Sequence, residues 1–187
     1  MVQASEAGAY LAEQKVNFHK VYSSPFVRCL QTATQACAPL NTTEIIPVPG
    51  LSLCCAAMKR VARDHKEPIQ AALDRAIILP PEHLQLLSPD IPLAEYSINT
   101  TSDTNFLNTC ERLASIPGNN DKDILLVTHR EGIYDLFSKR CGKQWTFGTP
   151  PYCCLVRFSY SSGSQTWKCD EYDCSQVKVK NSRYRRI

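Results

Sequence analysis

Four consecutive apolar residues, Ile124-Leu125-Leu126-Val127, stand between the turn sequence Pro117-Gly118-Asn119-Asn120 and a helix start. So short a run, bounded by turn signals, reads as a strand buried inside a parallel sheet, where helices cover both faces. Strand and helix patterns alternate along the rest of the chain. Residues 2–14 read as a helix, rich in Ala, Glu and Gln and without Pro, and 19–23 as a short strand. Phe26, Leu30, Ala33 and Cys37 recur at helical spacing, which predicts a helix over about 25–38. There follow a strand at 44–48, helices near 53–64 and 67–79, a Pro-rich loop region at 80–100, and helices near 102–115 and 129–140. Residues 153–159 and 165–171 alternate around Ser161-Ser162-Gly163-Ser164, as a hairpin would. This order predicts an α/β fold with a mainly parallel sheet between helical layers.

A chain of 187 residues, 43% hydrophobic and 21% charged, suits one domain with its own core, so folding needs neither disulfide nor metal. Met1 to Leu11 lacks the basic start and apolar run of a secretory signal, and no stretch is long enough to cross a bilayer. The expected location is therefore cytoplasmic. Asn41-Thr42-Thr43 and Asn99-Thr100-Thr101 match the glycosylation pattern, but without export they stay silent. The ten cysteines include the adjacent pairs Cys54–Cys55 and Cys153–Cys154, yet no C-x-x-C occurs, and Cys169/Cys174 has no matching second pair. Zinc ligands need such spacing; reduced cysteine packing as a small apolar residue is the better reading, with Cys29 and Cys37 on a buried helix face. The net charge of +3 owes much to Lys178, Lys180, Arg183, Arg185 and Arg186, in a basic tail at 173–187 that follows a domain at 1–172. A frayed, solvated end explains such a tail better than nucleic acid or an acidic membrane does.

Two predicted strands end at helix starts suited to an anion. In Ser23-Ser24-Pro25-Phe26-Val27-Arg28, Ser24 is a good N-cap and Pro25 is preset for the first helical position. Arg28 then lies in the first turn, where its guanidinium can reach the space ahead of the helix. In Thr128-His129-Arg130-Glu131, Thr128 and Glu131 have the spacing of a capping box, with His129 at the first helical position. A histidine at the C-terminal end of a strand can bond a phosphoryl oxygen with help from free helix N–H groups. Taken singly, a Ser-Pro helix start is more often structural, and a lone histidine at a helix start more often a cap or a solvated residue. Taken together, the two corners supply complementary groups.

These segments resemble the histidine phosphatase (phosphoglycerate mutase-like) superfamily. Its SSP-x-x-R-x-x-x-T-A stretch is matched by SSPFVRCLQTA (Ser23 to Ala33), and its second histidine after an apolar strand by ILLVTH (Ile124 to His129). Gln3-Ala4 is similar to the G-x-x-Q-A helix ahead of the family's second strand. The resemblance implies a three-layer α/β/α fold and a reaction in which a different histidine, in an Arg-His-Gly motif ending the first strand, attacks a phosphomonoester. The phosphohistidine so formed is resolved by water or a second substrate, after a Glu or Asp has protonated the leaving oxygen. Arg28 would be one of two phosphate-binding arginines, and His129 the second pocket histidine and catalytic residue. Ser24 at the same corner would also bind phosphate. No cofactor and no metal are implied.

The chain departs from that pattern. It has no Arg-His-Gly, and only 22 residues precede Ser23, so the expectation is a domain truncated before its first central strand. Gly50-Leu51-Ser52 precedes Leu53 where the family branch has Glu, and Arg130 stands where the family often has Gly. His19, His65 and His83 read as solvated surface. Two functions remain: a phosphomonoester phosphatase in the intact domain, with this chain inactive, or a non-catalytic phosphate-binding or regulatory pseudophosphatase. The expected partners are a phosphorylated small molecule or phosphoprotein, with self-association through exposed strand edges. A cysteine-rich zinc or nucleic-acid module fails on ligand spacing, and a serine hydrolase fails because no G-x-S-x-G occurs.

Overall fold

A computed structural model of the chain describes residues 2–40, 44–52, 103–119, 122–142, 150 and 152–173. The helices expected near 53–64 and 67–79, the loop at 80–100 and most of the basic tail lie outside the described residues.

Helix α1 (Val2–Glu13) buries Ala4, Ala7, Gly8 and Leu11, one stripe at i, i+3, i+4 and i+7. It packs on α2 (Val27–Cys37), whose buried residues Cys29, Leu30, Ala33, Ala36 and Cys37 repeat the same spacing. The approach is close enough that a methyl group on Gly8 would run into the backbone of Ala36, so glycine is required there. Between them in the chain comes strand β1 (Lys20–Ser23).

Strand β1 pairs in parallel on both sides, with β2 (Ile45–Pro47) and with β3 (Ile124–Val127), in the order β2-β1-β3. The register sets Val21 against Ile45 and Leu125, and Ser23 against Pro47 and Val127. Because side chains alternate along a strand, neighbours in β1 enter different cores. Val21 joins Leu30, Ala33, Cys37 and Ile45 beneath α2. Tyr22 joins Phe106, Leu107, Cys110 and Leu113 of α3 (Asp103–Ala114) and Leu136. The sheet therefore lies between helices on both faces, an α/β arrangement with mainly parallel strands.

Strand β3 is parallel, as its apolar run predicts, but it is not fully buried: all four residues are half-exposed. The physical reason is its place in the sheet. Among the described residues β3 pairs with β1 alone and is an outer strand. The helix expected over 129–140 divides into α4 (Arg130–Asp135) and a π-helical turn, Leu136–Arg140, in which Cys141 N–H reaches back to Leu136 O. Strands β4 (Leu155–Ser161) and β5 (Thr166–Asp173) form the expected antiparallel hairpin, with a bulge between Arg157 and Phe158. An isolated hairpin is marginal in water, and this one is anchored by Phe158 and Trp167, which pack against the core around Phe106.

Candidate active site at the ends of two strands

The sheet order brings the two strand ends side by side. Ser23 is opposite Val127, and Ser24 N–H continues the ladder to Val127 O at 2.8 Å. The third contributor is the 3₁₀ turn after β2, Pro49–Leu51, tied to the β3 corner by Thr128 Oγ1 donating to Leu51 O at 2.9 Å.

Both predicted cap arrangements differ from what the structure holds. Helix α2 begins at Val27 with Phe26 as its N-cap residue, and no side chain caps it. Pro25 therefore precedes the helix, and the Ser24 hydroxyl, within 3.5 Å of Phe26 N–H, turns chiefly to His129. At the other corner His129 is itself the N-cap residue of α4, its carbonyl accepting from Gly132 N–H at 2.9 Å. There is no capping box: Thr128 is engaged with Leu51, and Glu131 is exposed. In each case a tertiary hydrogen bond outcompetes the local cap.

His129 is buried, 7% exposed, and both ring nitrogens are engaged. Its Nε2 lies 3.0 Å from Ser24 Oγ, and its Nδ1 lies 2.9 Å from an Arg28 guanidinium nitrogen. Ser24 Oγ is in turn 3.2 Å from Ser52 Oγ. Phe26 supports the assembly: its ring meets the imidazole edge-on at 5.2 Å between centroids, and the Arg28 guanidinium lies 4.7 Å from its centroid. The Cys29 thiol sits 3.7 Å from Nε2 and 3.9 Å from Nδ1. Arg28, Ser24 and His129, the three residues singled out in the sequence, are thus brought into direct contact.

The direction of these bonds follows from the donors. A guanidinium has only N–H donors, so Nδ1 of His129 accepts. In a neutral imidazole the proton then resides on Nε2, which donates to Ser24 Oγ, while Ser24 and Ser52 share a hydroxyl–hydroxyl hydrogen bond. Neutrality has two causes. Burial comes first and the Arg28 charge second; together they hold the His129 pKa down to about 3.

Arg130 does not enter this cluster. Its guanidinium packs 5.4 Å from the centroid of the Tyr152 ring and reaches the Tyr152 hydroxyl at 3.5 Å. His19 is exposed, its backbone N–H paired with Asp123 O; His65, His83 and Leu53 lie outside the described residues. Ser52, Cys29 and Phe26 were not picked out as site residues. The signal for Ser52 is its place in Gly50-Leu51-Ser52, and for Phe26 its helical spacing with Leu30, Ala33 and Cys37. Among the described residues no cysteine is in a disulfide, and no group of three or more His, Cys, Asp or Glu could hold a metal. No helix among them is long and apolar enough to cross a membrane.

A family model described as the histidine phosphatase superfamily (branch 1) matches residues 1–53. That span runs from α1 through the 3₁₀ turn and includes Ser24, Arg28 and Ser52, while His129 lies outside it. Comparison with curated proteins gave no match.

Proposed function

We propose, from the match of residues 1–53 to the histidine phosphatase superfamily model, that Arg28 and His129 form the oxyanion pocket of a cytoplasmic phosphomonoester phosphatase. Its substrate would be a phosphorylated small molecule or phosphoprotein, turned over in this family through a phosphohistidine. The observation that carries the reading is the 2.9 Å contact between the Arg28 guanidinium and the His129 imidazole. A cation and a hydrogen-bonding ring held together at the ends of parallel strands are the groups that a transferring phosphoryl needs. The pocket is preorganised by Phe26, Ser24 and Ser52.

The role of His129 here is to bind, not to attack. Its Nδ1 lone pair is covered by Arg28, and its Nε2 carries the proton given to Ser24. No Arg-His-Gly occurs in the 187 residues. This favours a second reading for the chain as it stands, phosphate binding or regulation without turnover.

Titration of the full chain with inorganic phosphate or vanadate tests the pocket. Arg28→Ala and His129→Ala should each weaken binding by roughly tenfold or more, the worth of a charge-assisted hydrogen bond. Unchanged affinity in both variants would dispose of the pocket. Aryl phosphate hydrolysis by the same chain should stay near background, and trapping of a covalent phosphohistidine would overturn the binding-only role.

A further inference from the structure

In the free pocket the Arg28 guanidinium is spent on a neutral nitrogen. A guanidinium donates more strongly to a phosphoryl oxygen than to an imidazole lone pair, so an arriving oxyanion draws Arg28 away from Nδ1. That exchange leaves the Nδ1 lone pair facing a negatively charged oxygen, an arrangement that repels. The ring could escape by turning to present Nε2–H instead. Ser24 opposes the turn by accepting from Nε2–H at 3.0 Å, and Ser52 backs Ser24 at 3.2 Å.

The groups facing the ring leave few other outcomes. Helix α2 and its start contribute Arg28, Cys29 and the edge of Phe26; the β1 corner contributes Ser24. Among the described residues no carboxylate touches the imidazole, and the Cys29 thiol beside it is a far weaker acid than an imidazolium, so it does not supply the proton.

We infer that the pocket takes up its oxyanion together with one proton. Arg28 leaves Nδ1 for the anion, Nδ1 gains a proton from solvent, and the resulting imidazolium donates from Nδ1 to the anion while Nε2–H stays on Ser24. One N–H bond forms, no covalent bond to the anion is made, and the added positive charge meets the incoming negative charge. Ser24 and Ser52 are positioning residues in this scheme, because they stop the ring from satisfying the anion without the proton. The inference rests on the oxyanion reading above and adds to it the protonation state of the loaded site. It agrees with the free-state electrostatics: removing the nearby guanidinium and adding an anion both raise a pKa that stands at about 3.

Sulfate is the probe, being a tetrahedral dianion throughout the neutral range. The full chain is titrated calorimetrically at mildly acidic pH in buffers of low and high ionisation enthalpy, alongside nitrogen NMR of His129. The expected result is close to one proton taken up per sulfate, with Nδ1 unprotonated in the free chain and protonated in the complex. Sulfate affinity should fall by up to about tenfold per pH unit as pH rises from the free to the loaded pKa of His129. Ser52→Ala and Ser24→Ala should still bind sulfate but take up less than one proton. Sulfate bound with no proton and with Nδ1 unprotonated would overturn the inference and leave the oxyanion reading intact. Failure of the chain to bind sulfate at all would overturn both. Full proton uptake in both serine variants would overturn the positioning role.

Discussion

Arg28 donates a hydrogen bond to Nδ1 of His129 across 2.9 Å, joining residues 101 apart in the chain. The contact exists because β1 and β3 are in-register parallel neighbours, so the segments leaving them emerge side by side. A buried neutral imidazole under an arginine is an electrostatic commitment, and it governs how the protein responds to acid.

Stability should fall on acidification through His129. Its folded pKa of about 3 lies below the ordinary 6.5, so the unfolded chain binds the proton first. The stabilisation is complete above the unfolded value and is lost as pH falls toward the folded one, with a slope approaching about 1.4 kcal/mol per pH unit. Denaturant midpoints of the chain and of His129→Gln across this range check it; the variant should show the shallower slope, and parallel curves would contradict the assignment.

Gly132→Ala should destabilise the fold by about 1–3 kcal/mol, the usual cost of overpacking a filled core. Helix propensity alone favours alanine by up to about 1 kcal/mol. The Phe106 ring decides the sign: a methyl group on Gly132 would lie 2.5 Å from its Cζ, and that ring is 2% exposed. Urea unfolding of the variant measures the loss. Because Gly132 N–H holds His129 O, phosphate affinity should fall with it.

Thiol reactivity should divide the cysteines. Burial pushes the Cys37 pKa up to about 11 and that of Cys110 up to about 12, the latter with help from Glu111. The thiolate is the reactive form, so both should alkylate slowly in the native state. Among the described cysteines, half-buried Cys141 and Cys154 should react first. Timed labelling with mass spectrometry reads the order, and early labelling of Cys110 would refute it.

Self-association should accompany the apolar edge at β3. Its four residues are half-exposed, and among the described residues one side of the strand makes no strand pair. Such an edge is a template for another strand. Size-exclusion chromatography over a concentration series should show a rising apparent mass. A monomer at every concentration would count against this expectation.

The strands were legible because their signals are local. Ile124–Val127 is apolar and flanked by turn residues, and β1, β2 and the hairpin lie within a few residues of their predicted positions. The helix starts were less so: Ser24 and Thr128 have the chemistry of caps, but their hydroxyls are taken by His129 and Leu51. The chemistry of Arg28 and His129 marked them as complementary groups at two strand ends, and the resemblance placed them in one pocket. That Ser52 stands behind Ser24 depends on β2 lying next to β1, a sheet order that no local pattern encodes. The half-exposure of β3 follows from the same order.

The pairing of Ser23 with Val127 also makes the pocket sensitive to counting. Lateral strand bonds, and not the lengths of the connections, hold the two corners level. Removing one residue from within Ile124–Val127 would instead carry the imidazole toward the other side of the sheet, because side-chain direction reverses at each step. Arg28 would then have no ring to cover, although every residue of the cluster would still be present.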